Sequence, residues 1–399
     1  MNALPKYSFG AHIADRDNPL FDELLEQAYK SKERPRCLCK DSGVEMYIAK
    51  SGDNYILKRL PYSGQSHQPD CDSFEIPAEL SGREAVLQKA IAEDEDTGLT
   101  SLKLDFSLSK ISVNSAASKG EATEKMAVQA NPTKLSIRSL LHFLYEDAGL
   151  NKWAPKMHGK RSWFIIRKYL LLAAQNKIAR KNPLGEFLLI PENFSVDDKT
   201  EITSRRRQFL SKLIKKGNKQ LMGILIGELK AIESARFGYK MLIKHMPDTP
   251  IYLDEAVFKR INKVFSTELA FFHENEAIHL LTICTFTLSA TGSPQVDNIS
   301  FMAVDRNWLP FENIEELELL ERLCTKQRSF IKGLRYNLGS DEVIASVLMT
   351  DTGDKPTAVY LVPLGAKENY YNTLDLIVKE SDLKSHVIDA NKEQSLNIF

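Results

Sequence analysis

In NPLFDELLEQAYKSK, Leu20, Leu24, Leu25 and Ala28 recur at helical spacing and Pro19 suits a first turn, which predicts an opening helix. The period then changes. Met46 and Ile48, then Tyr55 and Leu57, fall in two short strand-like runs separated by SGDN, a good hairpin turn. GREAVLQKAIAE reads as a second helical stretch. In LKLDFSLSKI, Leu102, Leu104, Phe106 and Leu108 alternate with polar residues and predict a half-buried strand. The next segment, rich in Ser, Ala, Lys and Glu, has few large apolar residues and reads as a linker over 111–133.

Beyond the linker, LSIRSLLHFLYEDAGL predicts a helix with Leu135, Ile137, Leu140, Leu141 and Leu144 on its face and Gly149 as its stop. RSWFIIRKYLLLAAQNKIARK predicts another helix, followed by a strand-like EFLLIPENF, the order found in a winged helix. QLMGILIGELKAI and FGYKMLIKH read as strands, and LDEAVFKRINKVFSTELAFF reads as one amphipathic helix. The segment from Ala277 to Pro310 reads as a hairpin with a long turn. The chain ends with helix (IEELELLERLCTKQ), three strands (SFIKGLRY, EVIASVLMTD, TAVYLVPL), helix (AKENYYNTLDLIVKES) and strand (SHVIDA). The expected class is α+β and multidomain. A zinc-bound β-hairpin module (1–110) and the linker precede a helical, winged-helix-like basic region (134–182). A central α/β domain (183–310) and a C-terminal α/β domain (311–399) follow.

Composition narrows the function classes. With 43% hydrophobic and 27% charged residues the chain has the apolar surface to fold, which excludes uniform disorder. Five cysteines, an odd number in 399 residues, do not make a disulfide scaffold. No apolar run reaches the roughly 18 residues of a membrane span, and the N-terminus lacks a basic-then-apolar signal. A cytoplasmic location without a membrane partner is expected.

Net charge is zero, from 53 basic and 53 acidic residues, so any attraction for an anionic partner must be local. Two segments supply it. Lys152 to Lys181 contains no acid and includes Lys160, Arg161, Arg167 and Lys168; Arg205, Arg206 and Arg207 open a second such run. Cations near a helix N-terminus favour phosphate, so DNA is the expected partner of these residues. The plainer alternative is that both runs are solvated helix faces.

The sharpest chemistry lies in Cys37, Cys39, His67 and Cys71. The spacing is Cys-x-Cys, 27 residues, then His-x3-Cys. Three thiolates and an imidazole form one of the usual tetrahedral zinc sets, and four protein ligands leave no open position, so a structural Zn2+ is expected. The hairpin between the two halves returns His67 and Cys71 towards Cys37 and Cys39, and Arg34, Arg36, Lys40 and Lys58 are expected to favour the thiolates. The alternative is chance grouping of core residues. Cys284 and Cys324, on apolar patterns, read as packing residues, and His142 and His279 as core histidines. There is no glycine-rich phosphate loop and no readable Ser-His-Asp arrangement.

RCLC, YILKRLP, the His-x3-Cys pair, LLHFLYEDAGLNKW, GKRSW, GELK, KHMP, HLLTICTF, WLPFENIEE, RSFIKGLRYN and MTDTGDKP follow one another along nearly the whole chain. In that order they resemble the bacterial domain-of-unknown-function family 1173. The resemblance implies a bacterial host, a link to mobile genetic elements whose proteins would be partners, and a reason to group Cys37, Cys39 and Cys71. It brings no activity. The C-terminal order also resembles a restriction-endonuclease-like core. In such nucleases an acid on the second strand and an acid-x-Lys on the third hold the metal. Here only Asp351 ends the second strand and TAVYLVPL has neither acid nor lysine, so the core would be degenerate. The expectation is a non-enzymatic nucleic-acid-binding or assembly factor. Its rivals are a nuclease using Glu316, Asp351 and Asp354, and a protein-interaction adaptor without nucleic acid.

Overall fold

The first five strands form one antiparallel sheet. They are β1 (Lys6–Phe9), β2 (His12–Asp15), β3 (Arg36–Cys37), β4 (Val44–Ser51) and β5 (Asn54–Arg59), in the order β2-β1-β3-β4-β5. Residues 5–51, 54–94, 97–111 and 133–392 are described by this computed structural model, so the expected linker lies almost wholly outside them. Helix α1 (Phe21–Ser31) covers the sheet through Phe21, Leu25 and Ala28, which pack with Tyr7, Phe9, Met46 and Leu57. Leu20, expected on that face, precedes the first helical turn and is 55% exposed; Phe21 takes its place.

The expected helix over 82–93 does not form. Arg83 to Ala90 makes successive turns, and Gln88 at φ +63° ends the right-handed course before β6 (Ile91–Glu93). Gly82 donates its N–H to the Leu334 carbonyl at 2.8 Å, and a Cβ there would lie 2.0 Å from the Arg335 carbonyl oxygen. Only glycine allows that approach. The alternating segment buries Leu102, Leu104, Phe106 and Leu108 as expected. Its ladder is broken into β7 (Thr100–Leu102) and β8 (Ser109–Ile111).

Helix α2 (Ile137–Asp147) is capped by the Ser136 side chain and buried on most of its circumference, so it runs through the core. After β9 (Lys152–Trp153) comes α3 (Trp163–Ala174), then β10 (Lys177–Ala179), β11 (Asn182–Pro183) and β12 (Leu188–Leu189). The strand expected in EFLLIPENF is thus only two residues long, paired parallel with a long central strand. Helix α4 (Lys199–Ser211) and β13 (Lys219–Leu221) lead into β14 (Gly223–Ser234), β15 (Tyr239–Ile243) and β16 (Ile251–Leu253). The single helix expected next is two, α5 (Glu255–Val264) and α6 (Ser266–Glu274), broken at Phe265, whose ring packs edge-on against Phe301. The expected hairpin is β17 (His279–Leu288) and β18 (Pro294–Val304). The central sheet has the order β12-β14-β15-β16-β18-β17, and β14 also pairs with β17.

The C-terminal order is as read: α7 (Ile314–Thr325), β19 (Phe330–Lys332), β20 (Val347–Met349), β21 (Thr357–Val362), α8 (Glu368–Glu380) and β22 (Lys384–Asp389). The sheet runs β22-β21-β20-β19-β9, with β21 and β22 parallel and the other neighbours antiparallel. Strand β9, some 180 residues upstream, therefore completes this sheet. Apolar clusters span the segments: Phe74, Ile76 and Leu80 pack with Ile331, Tyr360 and Leu374. Trp153 shares a cluster with Ile243, Leu320 and Val359. No helix among the described residues is long and apolar enough to cross a membrane.

Candidate metal centre

Cys37 ends β3, where pairing with β1 and β4 buries it, and Cys39 follows in the turn. The β4–β5 hairpin, with Met46 opposite Arg59 and Ile48 opposite Leu57, brings the chain back beside its start. A tight turn at Gly64–Ser66 then delivers His67 and Cys71. Glycine is needed at position 64, because a Cβ there would lie 2.8 Å from Cβ of Glu75.

The ligand atoms of Cys37, Cys39, His67 and Cys71 all lie within 4.8 Å of one another. Sγ of Cys37 is 3.7 Å from Sγ of Cys71, and Nδ1 of His67 is 3.5 Å from Cys39 Sγ and 3.7 Å from Cys71 Sγ. An ion with Zn–S of about 2.3 Å and Zn–N of about 2.0 Å has tetrahedral S···S edges of about 3.8 Å and S···N edges of about 3.5 Å. The spacings match those edges. They do not match a disulfide, whose sulfurs are about 2.05 Å apart, and all five cysteines are free. The group can therefore hold a metal ion such as zinc, with Nδ1 of His67 as the imidazole ligand.

The electrostatics suit a cation. The hydrogen bond from Cys37 pulls the Cys71 thiol down to about 4, helped by His67 and the Ser73 N–H, which lies 3.4 Å from the sulfur. Cys37 is pushed up by the same bond and by burial, and burial also raises Cys39. A bound cation would favour both sulfurs as thiolates. The largest influences on Cys71 are thus its immediate neighbours, whereas Arg34, Arg36, Lys40 and Lys58 were expected to act. His67 is 1% exposed, and its Nε2 has no hydrogen-bond partner among the described residues.

The loop carrying His67 and Cys71 is docked on the rest of the molecule. Lys152 Nζ, from β9, donates to the carbonyls of Asp72 (2.6 Å) and Phe74 (2.7 Å). Glu75 is paired with Arg59 and Arg83; burial alone would raise its carboxyl, but these cations and Lys152 hold it at about 2. Arg83 continues to Glu146 on α2 at 3.2 Å, and Glu146 accepts from the Tyr336 hydroxyl at 2.7 Å. Sequence spacing had no signal for this network, because its members are single charged residues far apart in the chain.

The expected nucleic-acid residues divide into two groups. Arg161 donates to the carbonyls of Leu150 (2.8 Å), Lys152 and Asn307 (3.2 Å) and lies over the Trp153 ring, so its guanidinium ties internal segments together. Arg206 is 8% exposed and grips both carboxylate oxygens of Asp248 at 2.6 and 2.7 Å. Arg205 makes a bidentate pair with Glu192 (2.9 and 2.8 Å), and Arg167 Nε donates to the Ile190 carbonyl at 3.1 Å. Arg167 and Arg205 both act electrostatically on Glu192, which brings α3 and the middle of α4 to one side. Lys160, Lys168 and Arg207 are exposed.

Asp351 is held by Arg328 (2.9 and 2.8 Å) and the Ser329 N–H (2.8 Å), Glu316 is paired with Lys332 at 2.9 Å, and Asp354 is exposed. Cys284 and Cys324 are buried, with thiols pushed by burial up to about 12.

Comparison with curated proteins finds no match, and comparison with solved structures finds none. One family model does match, over residues 7–388. The chain, with its three N-terminal cysteines, belongs to the family described as protein of unknown function DUF1173.

Proposed function

We propose that this chain is a non-enzymatic nucleic-acid-binding or assembly factor of a bacterial mobile genetic element, acting in the cytoplasm, with zinc as its structural ion. The observation that carries this reading is the closed four-ligand centre clamped to the C-terminal sheet by Lys152. Four protein ligands leave no coordination position for water or substrate, so the ion shapes a surface. The acids of the nuclease alternative support the same view: Glu316 and Asp351 already have cationic partners, whereas a catalytic Mg2+ needs carboxylates free to bind it. The strand order and senses of the last sheet fit a restriction-endonuclease-like core without its metal-binding residues.

The phosphate contacts in this reading fall to Lys160, Lys168 and Arg207, with Arg167 and Arg205 beside them. The adaptor alternative has its own support, because Phe164, Tyr169 and Leu172 on α3 are exposed among these cations. The deciding experiment is binding of labelled single- and double-stranded DNA across a salt series. The proposal expects affinity that falls steeply with salt. Absence of affinity at low salt leaves the adaptor reading, and Mg2+-dependent cleavage that vanishes with Asp351→Ala establishes the nuclease.

A further inference from the structure

A cavity of about 230 Å3 opens where α2, the α5–α6 break, β18 and the end of β19 meet. It lies outside the metal centre and involves none of the expected DNA contacts, so it stands independently of the proposed function. Exposed Val264, Thr267 and Ser340 mark its mouth; buried His142, Lys332 and Phe301 form its floor. At roughly 30 Å3 of liquid volume per water, it has room for about eight water-sized groups.

The polar groups of the floor are incompletely used. The Tyr336 N–H donates to Nδ1 of His142 at 3.0 Å, so the neutral ring carries its hydrogen on Nε2. That Nε2 has no hydrogen-bond partner among the described residues, although His142 is 4% exposed. Burial, with Arg138 next in strength, takes the ring down to about 3 and keeps it neutral. Arg138 gives Nη2 to Glu312 at 2.5 Å, while Nη1 and Nε have no partner among the described residues. Lys332 Nζ is bound to Glu316 and to the Gly333 carbonyl, which leaves its third hydrogen.

Donors and shape then choose the ligand class. Arg138, Arg335 and Lys332 stand against Glu268, Glu312 and Glu316, three groups of each sign, so net charge does not choose the ligand. The unused hydrogens of His142, Arg138 and Lys332 do: all are donors, and burial raises the Glu268 carboxyl, which together favour a ligand that accepts. Glu268 and Glu312 also line the cavity, so a dianion such as phosphate would meet two carboxylates. Phe301, Met302 and Phe311 supply an apolar wall. We propose that this cavity binds a small organic monocarboxylate. Its oxygens accept from His142 Nε2–H and Arg138, and its apolar body lies against Phe301, Met302 and Phe311.

The test is titration of the zinc-loaded full chain with benzoate, benzamide, benzylamine and inorganic phosphate, by calorimetry and amide NMR. Benzoate should saturate one site. Benzamide, which lacks the charge, should bind about tenfold or more weakly, the effect of one charge-assisted hydrogen bond. Arg138→Gln should weaken benzoate by about the same factor. Val264→Trp, at an exposed position, should block the mouth and abolish binding with the circular dichroism unchanged. Lack of saturable benzoate binding overturns the proposal, as does equal affinity for benzamide, tighter binding of phosphate or benzylamine, or indifference to a folded Val264→Trp. The wild-type ligand series decides the matter alone if either variant fails to fold.

Discussion

Single residues at the metal centre divide into ligands and holders, and each kind has its own signature. Cys39→Ser removes a ligand. It should cost the chain its ion, seen as loss of one bound zinc by elemental analysis, and should open the β4–β5 hairpin to limited proteolysis. Glu75 is a holder. Its carboxyl, held at about 2 against an ordinary 4.5, contributes stability that is present above pH 4.5 and lost as the pH falls towards 2. Glu75→Gln should therefore flatten the acid limb of a stability–pH profile between those limits and leave the alkaline limb unchanged. The four residues that could hold a metal were legible in the sequence because a tetrahedral site demands particular atoms at short spacing. Glu75, Arg83 and Lys152 were not, because an ion pair across the fold leaves no pattern along the chain.

At the scale of elements, periodicity was read well where one face of an element is buried and the other is solvated. α1 and the β4–β5 hairpin are such cases. Reading failed where tertiary contacts decide. Gln88 in a left-handed conformation and Gly82 against the Arg335 backbone replace the helix expected over 82–93 with turns. Phe265 splits another helix to place its ring against Phe301. Strand β9 is too short to show any period, yet it carries both an edge of the last sheet and Lys152. Lys152→Met should destabilise the chain by about 1.5–3 kcal/mol, the worth of charge-assisted hydrogen bonds. Hydrogen exchange should rise first in residues 71–75. Protection there equal to wild type would show that the metal loop is held by other contacts.

For the whole molecule, the basic segments serve two purposes that the sequence did not separate. Lys160 and Lys168 are exposed, whereas Arg161 is spent on three carbonyls from two segments. Replacing Lys160 and Lys168 together by Ala should flatten the log–log salt slope of duplex-DNA binding by up to about two units and leave thermal stability unchanged. Arg161→Ala should do the reverse, costing roughly 2–3 kcal/mol of stability through unsatisfied carbonyls. Equal salt slopes for the Lys160/Lys168 double variant and the wild type would remove these lysines from any DNA interface.

Strand β9 also bears on how the chain is made. The four candidate ligands leave the ribosome before β9 and β19, so the N-terminal sheet could gather an ion before its docking partners exist. The loop then waits for Lys152, whose strand β9 joins the last sheet when β19, far later in the chain, pairs with it. A nascent chain would thus carry a metallated but undocked module until β19 emerges. The apolar side chains of Phe74, Ile76 and Leu80 would stay uncovered until Ile331 and Tyr360 emerge. Docking, rather than metal capture, would be the last event of folding.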